Sequence, residues 1–213
     1  MRVLVFGDSI TQGFWDIEGG WVARLRKHYD KRQLENLENR DEPTIFNLGI
    51  SGDVVKGLLM RVENEVEARR WQWPDEQFTL IFAIGINDSA FRDNEDRSNL
   101  DTYQRELRAL LEKAKKHSNR IMFVGLTPCV EDLVNSRLGK NKKLTNSRIL
   151  EFDKILRDFC QQHKIAYVPI FEEFKSRLDA GEDLLPDGLH PNGQGHELIF
   201  QIVRPNLDKL LST

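Results

Sequence analysis

The chain has 213 residues, 39% of them hydrophobic and 31% charged, with a formal net charge of -3. That length suits one α/β domain with a full core and is short for two, and the balance of charge gives no basic footprint for nucleic acid or an anionic membrane. Two cysteines, Cys129 and Cys160, without a CxxC pair argue against a disulfide framework or a structural zinc and favour reduced intracellular thiols.

In chain order, Val3–Phe6 is a continuous apolar run that reads as a buried strand. No basic n-region and cleavage site precede it, so the expected location is the cytoplasm. After Gly19-Gly20, the residues Val22, Leu25 and Tyr29 recur at helical spacing. Ile45–Leu48 is a second strand, followed by a helix carrying Val54, Val55, Leu58, Leu59, Val62 and Val66, with Asp53 as its expected N-cap. Trp71-Gln72-Trp73-Pro74 marks the end of that helix, and its rings are expected to cover the core. Phe78–Ile84 is a third strand, and Tyr103, Leu107, Leu110 and Leu111 mark the next helix.

Ile121–Leu126 is the fourth strand, and Ile149, Phe152, Ile155, Leu156 and Phe159 form one face of the helix beyond it. Ala166–Ile170 is the fifth strand, with a short helix near Phe171–Leu178 after it. The last helix runs from about Gly195 to Leu211, kinked or interrupted at Pro205. The charged segments Ser89–Asn99 and Val130–Asn146 read as loops, and the basic run from Lys140 to Lys143 as part of a solvated one. His28, His117 and His163 lie on charged helical segments and are expected to be solvated. No apolar run approaches the roughly 18 residues of a membrane span. With no repeat, low-complexity tract or linker, the chain reads as a single domain, 1–213.

Strongly apolar strands alternating with helices predict an α/β fold, a five-stranded parallel sheet with helices on both faces. In such sheets a ligand sits beyond the carboxyl ends of the strands. Those ends carry Gly7-Asp8-Ser9, Asn47-Leu48-Gly49-Ile50-Ser51-Gly52-Asp53, Gly85-Ile86-Asn87-Asp88 and Thr127-Pro128, while Asp187-Gly188-Leu189-His190-Pro191 precedes the last helix. Polar residues and glycines from distant parts of the chain are thus expected at one sheet edge.

Their chemistry suggests acyl transfer. A serine hydroxyl needs a base to become nucleophilic. His190 can be that base for Ser9, and Asp187 can fix its tautomer and stabilise the imidazolium. A tetrahedral oxyanion needs prearranged donors, for which the backbone N–H groups of Ser9 and Gly52 and the side-chain amide of Asn87 are candidates. Asp8 is expected to bond the loop backbone and hold the shape of the site. Phe14, Trp15 and Phe91 are candidates for an apolar acyl pocket, and Arg92, Arg97 and Arg137 for a polar rim.

Four of these blocks, Gly7-Asp8-Ser9, Gly49-Ile50-Ser51-Gly52-Asp53, Gly85-Ile86-Asn87-Asp88 and Asp187-Gly188-Leu189-His190-Pro191, resemble in order and spacing the signature blocks of the GDSL, or SGNH, hydrolases. The resemblance implies a three-layer α/β/α flavodoxin-like fold and metal-independent hydrolysis of a small-molecule ester, without a cofactor. It implies Ser9 as nucleophile, His190 as base, Asp187 as its partner, and Gly52 and Asn87 as oxyanion donors. The first block has Ile10 where the family's name pattern has leucine. Esterases, thioesterases, lysophospholipases and carbohydrate deacetylases share these blocks, and a short-chain esterase or deacetylase is the expected member.

Each residue also has an ordinary structural reading. Ser9 could cap a helix, Gly52 could serve a turn, Asn87-Asp88 could form an Asx-turn, and Asp187 could cap the Gly188 turn. Their convergence at one sheet edge favours a single active site. Ser51 is not in a Gly-x-Ser-x-Gly elbow, because Asp53 stands at the fifth position. His196 falls in the last helix, and its spacing from His190 makes a poor metal pair. No nucleotide-binding glycine motif is present. The rival from another class is a noncatalytic domain that holds an acylated or anionic ligand at the same edge; an acyltransferase would use the same machinery.

Overall fold

A computed structural model of the chain describes residues 1–38, 42–71, 76–92, 95–137 and 142–212. In chain order its elements are β1 (Arg2–Gly7), α1 (Ser9–Gln12), α2 (Gly20–Glu35), β2 (Thr44–Gly49), α3 (Val55–Glu67), β3 (Phe78–Ala83), β4 (Phe91–Arg92) and β5 (Glu95–Asp96). They continue with α4 (Leu100–Lys115), β6 (Arg120–Val124), α5 (Glu131–Arg137), β7 (Lys142–Lys143), α6 (Asn146–His163), β8 (Ala166–Val168), α7 (Phe171–Asp179) and α8 (Gly193–Leu211).

The five expected strands form one sheet in the order β2-β1-β3-β6-β8, every pair parallel. Central strands of such a sheet are covered on both faces, which is why they are apolar without alternation. Accordingly Val3, Leu4, Val5 and Phe6 of β1 and Leu80, Ile81 and Phe82 of β3 are all fully buried. The register places Phe6 opposite Phe82 and Phe82 opposite Phe123, with ring centroids 5.3 and 5.1 Å apart. Phe159 of α6 meets Phe123 edge-on at 6.1 Å. Each such aromatic pair adds about 0.5–1.5 kcal/mol beyond the area it buries.

Helix α2 packs on α8, while α3 packs on α4 and α4 on α6. Right-handed crossovers put these two groups on opposite faces of the sheet, giving three layers, α/β/α. The chain leaves β1 toward β2 and then crosses to β3 on the other side, so the strand order reverses between β1 and β3. A ligand crevice forms at such a switch point. Ser9 follows β1, and Asn87 lies just beyond β3.

Several expectations are corrected. The N-cap position of α3 is Val54, without a side-chain cap bond. Asp53 instead pairs with Arg61 at 2.8 Å, and the first N–H of α3, that of Val55, is accepted by the Asp88 carboxylate at 3.2 Å. Helix α8 starts at Gly193 and continues past Pro205 to Leu211, because Val203 and Leu207 on either side of the proline are both fully buried. The two expected loops contain α5 and a small antiparallel sheet in the order β5-β4-β7. Within the basic run, Lys142 and Lys143 form β7, whereas Lys140 and Asn141 lie outside the described residues, as do Gln72, Trp73 and Pro74.

Trp71 is exposed rather than over the core, with the Arg2 guanidinium 5.5 Å above its ring. His28, His117 and His163 are half-buried rather than solvated. They rest against Tyr29, Glu67 and Phe159 respectively.

Candidate active site

The turn after β1 sets the position of Ser9. Asp8 is the N-cap of α1, its carboxylate accepting from Ile10 N–H at 2.9 Å. The capping role open to Ser9 is therefore filled by its neighbour. Ser9 becomes the first residue of the helix, where a backbone N–H has no intrahelical acceptor. Asp8 is fully enclosed, and burial, with a smaller contribution from the nearby charge of Asp53, raises its carboxyl to about 7.

The second part of the site comes from the turn before α8. Gly188 adopts φ +88°, and a Cβ there would meet Val134 N at 2.5 Å and Val130 O at 2.9 Å. Only glycine fits this packing of the turn against α5. Asp187 Oδ1 accepts from the N–H groups of Leu189 at 2.9 Å and His190 at 2.8 Å. Its Oδ2 lies 2.7 Å from His190 Nδ1 and 2.7 Å from the indole Nε1 of Trp15. Asp187 thus both caps its turn and holds the imidazole.

Burial would raise the Asp187 carboxyl, but the backbone and ring N–H groups of His190, the Leu189 N–H and the Trp15 indole bring it down to about 2. A carboxylate in that state can only accept, so His190 Nδ1 carries the proton and donates to it. Nε2 is then an acceptor, and Ser9 Oγ lies 2.9 Å from it. Serine, histidine and aspartate form one hydrogen-bonded chain across residues far apart in sequence.

The third part comes from the ends of β2 and β3. Gly52 has φ +76° and open space where a side chain would be. Its carbonyl accepts from Arg97 Nη2 at 2.6 Å, while Asn87 Oδ1 lies 3.4 Å from Arg97 Nη1. One guanidinium thereby ties the β2 loop to the β3 loop. With its oxygen turned to Arg97, Asn87 has its amide donors free to point elsewhere. Among the described residues, neither the Gly52 N–H nor Asn87 Nδ2 donates a hydrogen bond within the chain. Two prearranged donors of this kind can stabilise an oxyanion.

The residues expected at the rim have contacts of their own. The Phe14 ring lies against the His190 ring with centroids 5.3 Å apart, and Trp15 bonds Asp187. Phe91 is covered by the Arg148 guanidinium at 4.6 Å. Arg137 is exposed, and the Arg92 side chain lies outside the described residues. His196 is fully buried and directs Nε2 to the Phe14 carbonyl at 3.2 Å. Both cysteines are free, and burial pushes each thiol up to about 12. Among the described residues no group of three or more His, Cys, Asp or Glu side chains is placed to hold a metal ion, and no helix is long and apolar enough to cross a membrane.

Sequence reasoning passed over the bonding roles of Trp15 and Arg97. Both depend on which side chains meet across the fold, and no local pattern signals that.

The three-layer fold with its five-stranded parallel sheet is that of the SGNH-type hydrolases. The model of the GDSL-like lipase/acylhydrolase family matches residues 5–198. The chain belongs to this family, and its enzyme class is that of the carboxylic ester hydrolases. It is 25% identical over 226 residues to a human protein named isoamyl acetate-hydrolyzing esterase 1 homolog, covering 100% of this chain and 83% of that one. Among solved structures, a lipase/acylhydrolase from Enterococcus faecalis superposes with a TM-score of 0.73 at 20% identity, over 98% of this chain and 95% of its own. An acetyl xylan esterase from Geobacillus stearothermophilus does so with a TM-score of 0.71 at 21% identity, over 97% and 94%.

Proposed function

We propose that this protein hydrolyses short-chain, chiefly acetyl, esters of small alcohols or sugars through an acyl-enzyme on Ser9, with residues 1–213 acting as one hydrolase domain. The observation that carries this reading is the unbroken chain from Ser9 Oγ through His190 to Asp187, with bonds of 2.9 and 2.7 Å. His190 Nε2 takes the Ser9 proton as Oγ attacks the ester carbonyl carbon, and the imidazolium is held by the Asp187 carboxylate. The N–H groups of Ser9 and Gly52 and the Asn87 amide receive the oxyanion. Collapse breaks the carbon–oxygen bond to the alcohol, which leaves with the proton from Nε2. Water, deprotonated by the same nitrogen, attacks the acyl-enzyme and releases the acid.

The names of similar proteins favour a short acyl group. The similar proteins with substrate names, an isoamyl acetate-hydrolyzing esterase homologue and an acetyl xylan esterase, are both named for acetyl esters.

The test is hydrolysis of p-nitrophenyl esters from acetate to decanoate by the wild type and by Ser9→Ala. Wild-type kcat/KM is expected to fall with chain length, and Ser9→Ala to lose nearly all turnover while its circular dichroism stays unchanged. Full turnover by Ser9→Ala would overturn the nucleophile, and a preference for decanoate would overturn the substrate class.

A further inference from the structure

We propose that Trp15 is a positioning residue that locks the Asp187–His190 pair through its indole N–H, an inference that rests on the Ser9–His190–Asp187 reading. Asp187 Oδ2 receives two donors at the same distance, His190 Nδ1 at 2.7 Å and Trp15 Nε1 at 2.7 Å. Oδ1 is already taken by the two backbone N–H groups of its own turn. Those bonds fix one edge of the carboxylate, and the indole is the donor besides the imidazole that fixes the other.

The Trp15 side chain is not held in place by burial in the core. It is 59% exposed, and burial is what ordinarily places a ring of that size. Its backbone has φ +62°, a region that bulky L-residues rarely occupy and keep only where the surroundings hold them.

The surroundings do so from two elements. Asp16 binds Arg24 of α2 and accepts from Gly20 N–H at 3.0 Å. Arg24 reaches on to Glu197 of α8 at 3.1 Å. His196, buried in α8, bonds the Phe14 carbonyl one residue before Trp15 at 3.2 Å. The Phe14 ring lies on the His190 ring, and Trp15 stands edge-on to Phe14 at 5.6 Å. The segment from Phe14 to Asp16 is thus anchored to the helices behind it while its two aromatic rings clasp the imidazole and the carboxylate in front.

An exposed hydrogen bond is normally exchanged with water at little cost, but a bond to an ionised group is stronger than a neutral one. The indole also excludes water from Oδ2, leaving the carboxylate to the imidazole. Without it, Oδ2 is solvated, the ring of His190 gains freedom, and Ser9 loses a correctly aligned base. The indole N–H is committed to Asp187, so the substitution is expected to act on kcat rather than on binding.

The experiment is a double-mutant cycle with Trp15→Phe and Asp187→Asn, measured on p-nitrophenyl acetate at high enzyme concentration. Trp15→Phe keeps an aromatic ring on the same backbone and removes the donor. It is expected to lower kcat about tenfold, the size of one charge-assisted hydrogen bond, with KM changed less than twofold. In the Asp187→Asn background the same substitution is expected to change kcat less than twofold, because the indole acts through the carboxylate. Equal fold-losses in both backgrounds would overturn the proposal, as would an effect confined to KM, which would make Trp15 a substrate contact. Fluorophosphonate labelling of the wild type separates the two readings. If Ser9 is labelled and Trp15→Phe turns over like the wild type, only the role of Trp15 falls; if Ser9 is not labelled, both fall.

Discussion

Asn87 illustrates how neighbours orient one side chain. An amide has donors on one side and an acceptor on the other. Arg97 engages the acceptor at 3.4 Å, which leaves the amide donors for the proposed oxyanion. Asn87→Ala is therefore expected to lower kcat by about 10²–10³-fold while changing KM little. Steady-state kinetics on an acetyl ester give the answer, and an effect on KM alone would make Asn87 a substrate contact. Ser9, Gly52, Asn87, Asp187 and His190 could be named from sequence because each sits at a strand end or in a short turn before a helix. For Trp15 and Arg97 the sequence suggests a pocket wall and a rim charge but not the hydrogen bonds they make. Their partners, Asp187 and the Gly52 carbonyl, are reached only after the chain has folded.

At the scale of elements, the site is built from turns. The Asp187–His190 turn is fixed by Asn192, whose side chain accepts from Gln194 N–H and Gly195 N–H at 3.0 Å each and caps α8. It is fixed again by the close packing of Gly188 on Val134. Gly188→Ala forces a Cβ into a backbone nitrogen at positive φ, and is expected to cost about 1–3 kcal/mol of stability. A urea titration measures this, and kcat should fall with it because His190 moves; unchanged stability would mean that the turn can relax away from α5. The five strands were legible as apolar runs, and the long helices as periodic ones. The short strands β4, β5 and β7 and the helix α5 were not. They lie in charged segments whose order comes from contacts such as Arg148 with Phe91 and with the Ser89 carbonyl at 2.9 Å, not from any local period. Pro205 does not interrupt α8: the proline removes one backbone donor, while Val203 and Leu207 supply buried packing that carries the helix onward.

For the molecule as a whole, two titratable carboxyls lie in the core beside this site. Burial raises the carboxyls of both Asp8 and Asp88 to about 7 from an ordinary value of 3.8. Between those two values the folded chain keeps protons that the unfolded chain releases. Their contribution to stability is therefore complete below about pH 4 and is lost as pH rises through 7. His196 works in the opposite sense: burial lowers it from 6.5, so its contribution is present above that value and is lost as pH falls. Asn in place of Asp8 keeps the oxygen that caps α1 and removes the titration. The stability of Asp8→Asn relative to the wild type is expected to improve steadily from pH 4 to pH 8 in urea titrations. A difference that is flat, or that moves against the variant, would mean that Asp8 is not held protonated by burial. The three-layer architecture follows from strand–helix alternation, but the strand order that brings β1 beside β3 does not. That order sets the turn that carries Ser9 and the turn that carries Asn87 at the ends of adjacent strands.

The most direct test of the central claim is mass-spectrometric mapping of the folded protein after reaction with a fluorophosphonate. Such a probe is captured by a serine only where a base and oxyanion donors are already in place. One adduct per chain on the peptide containing Ser9, lost in His190→Ala, is the result expected. An unmodified Ser9 in the folded wild type, or an adduct that forms equally well without His190, would contradict the mechanism.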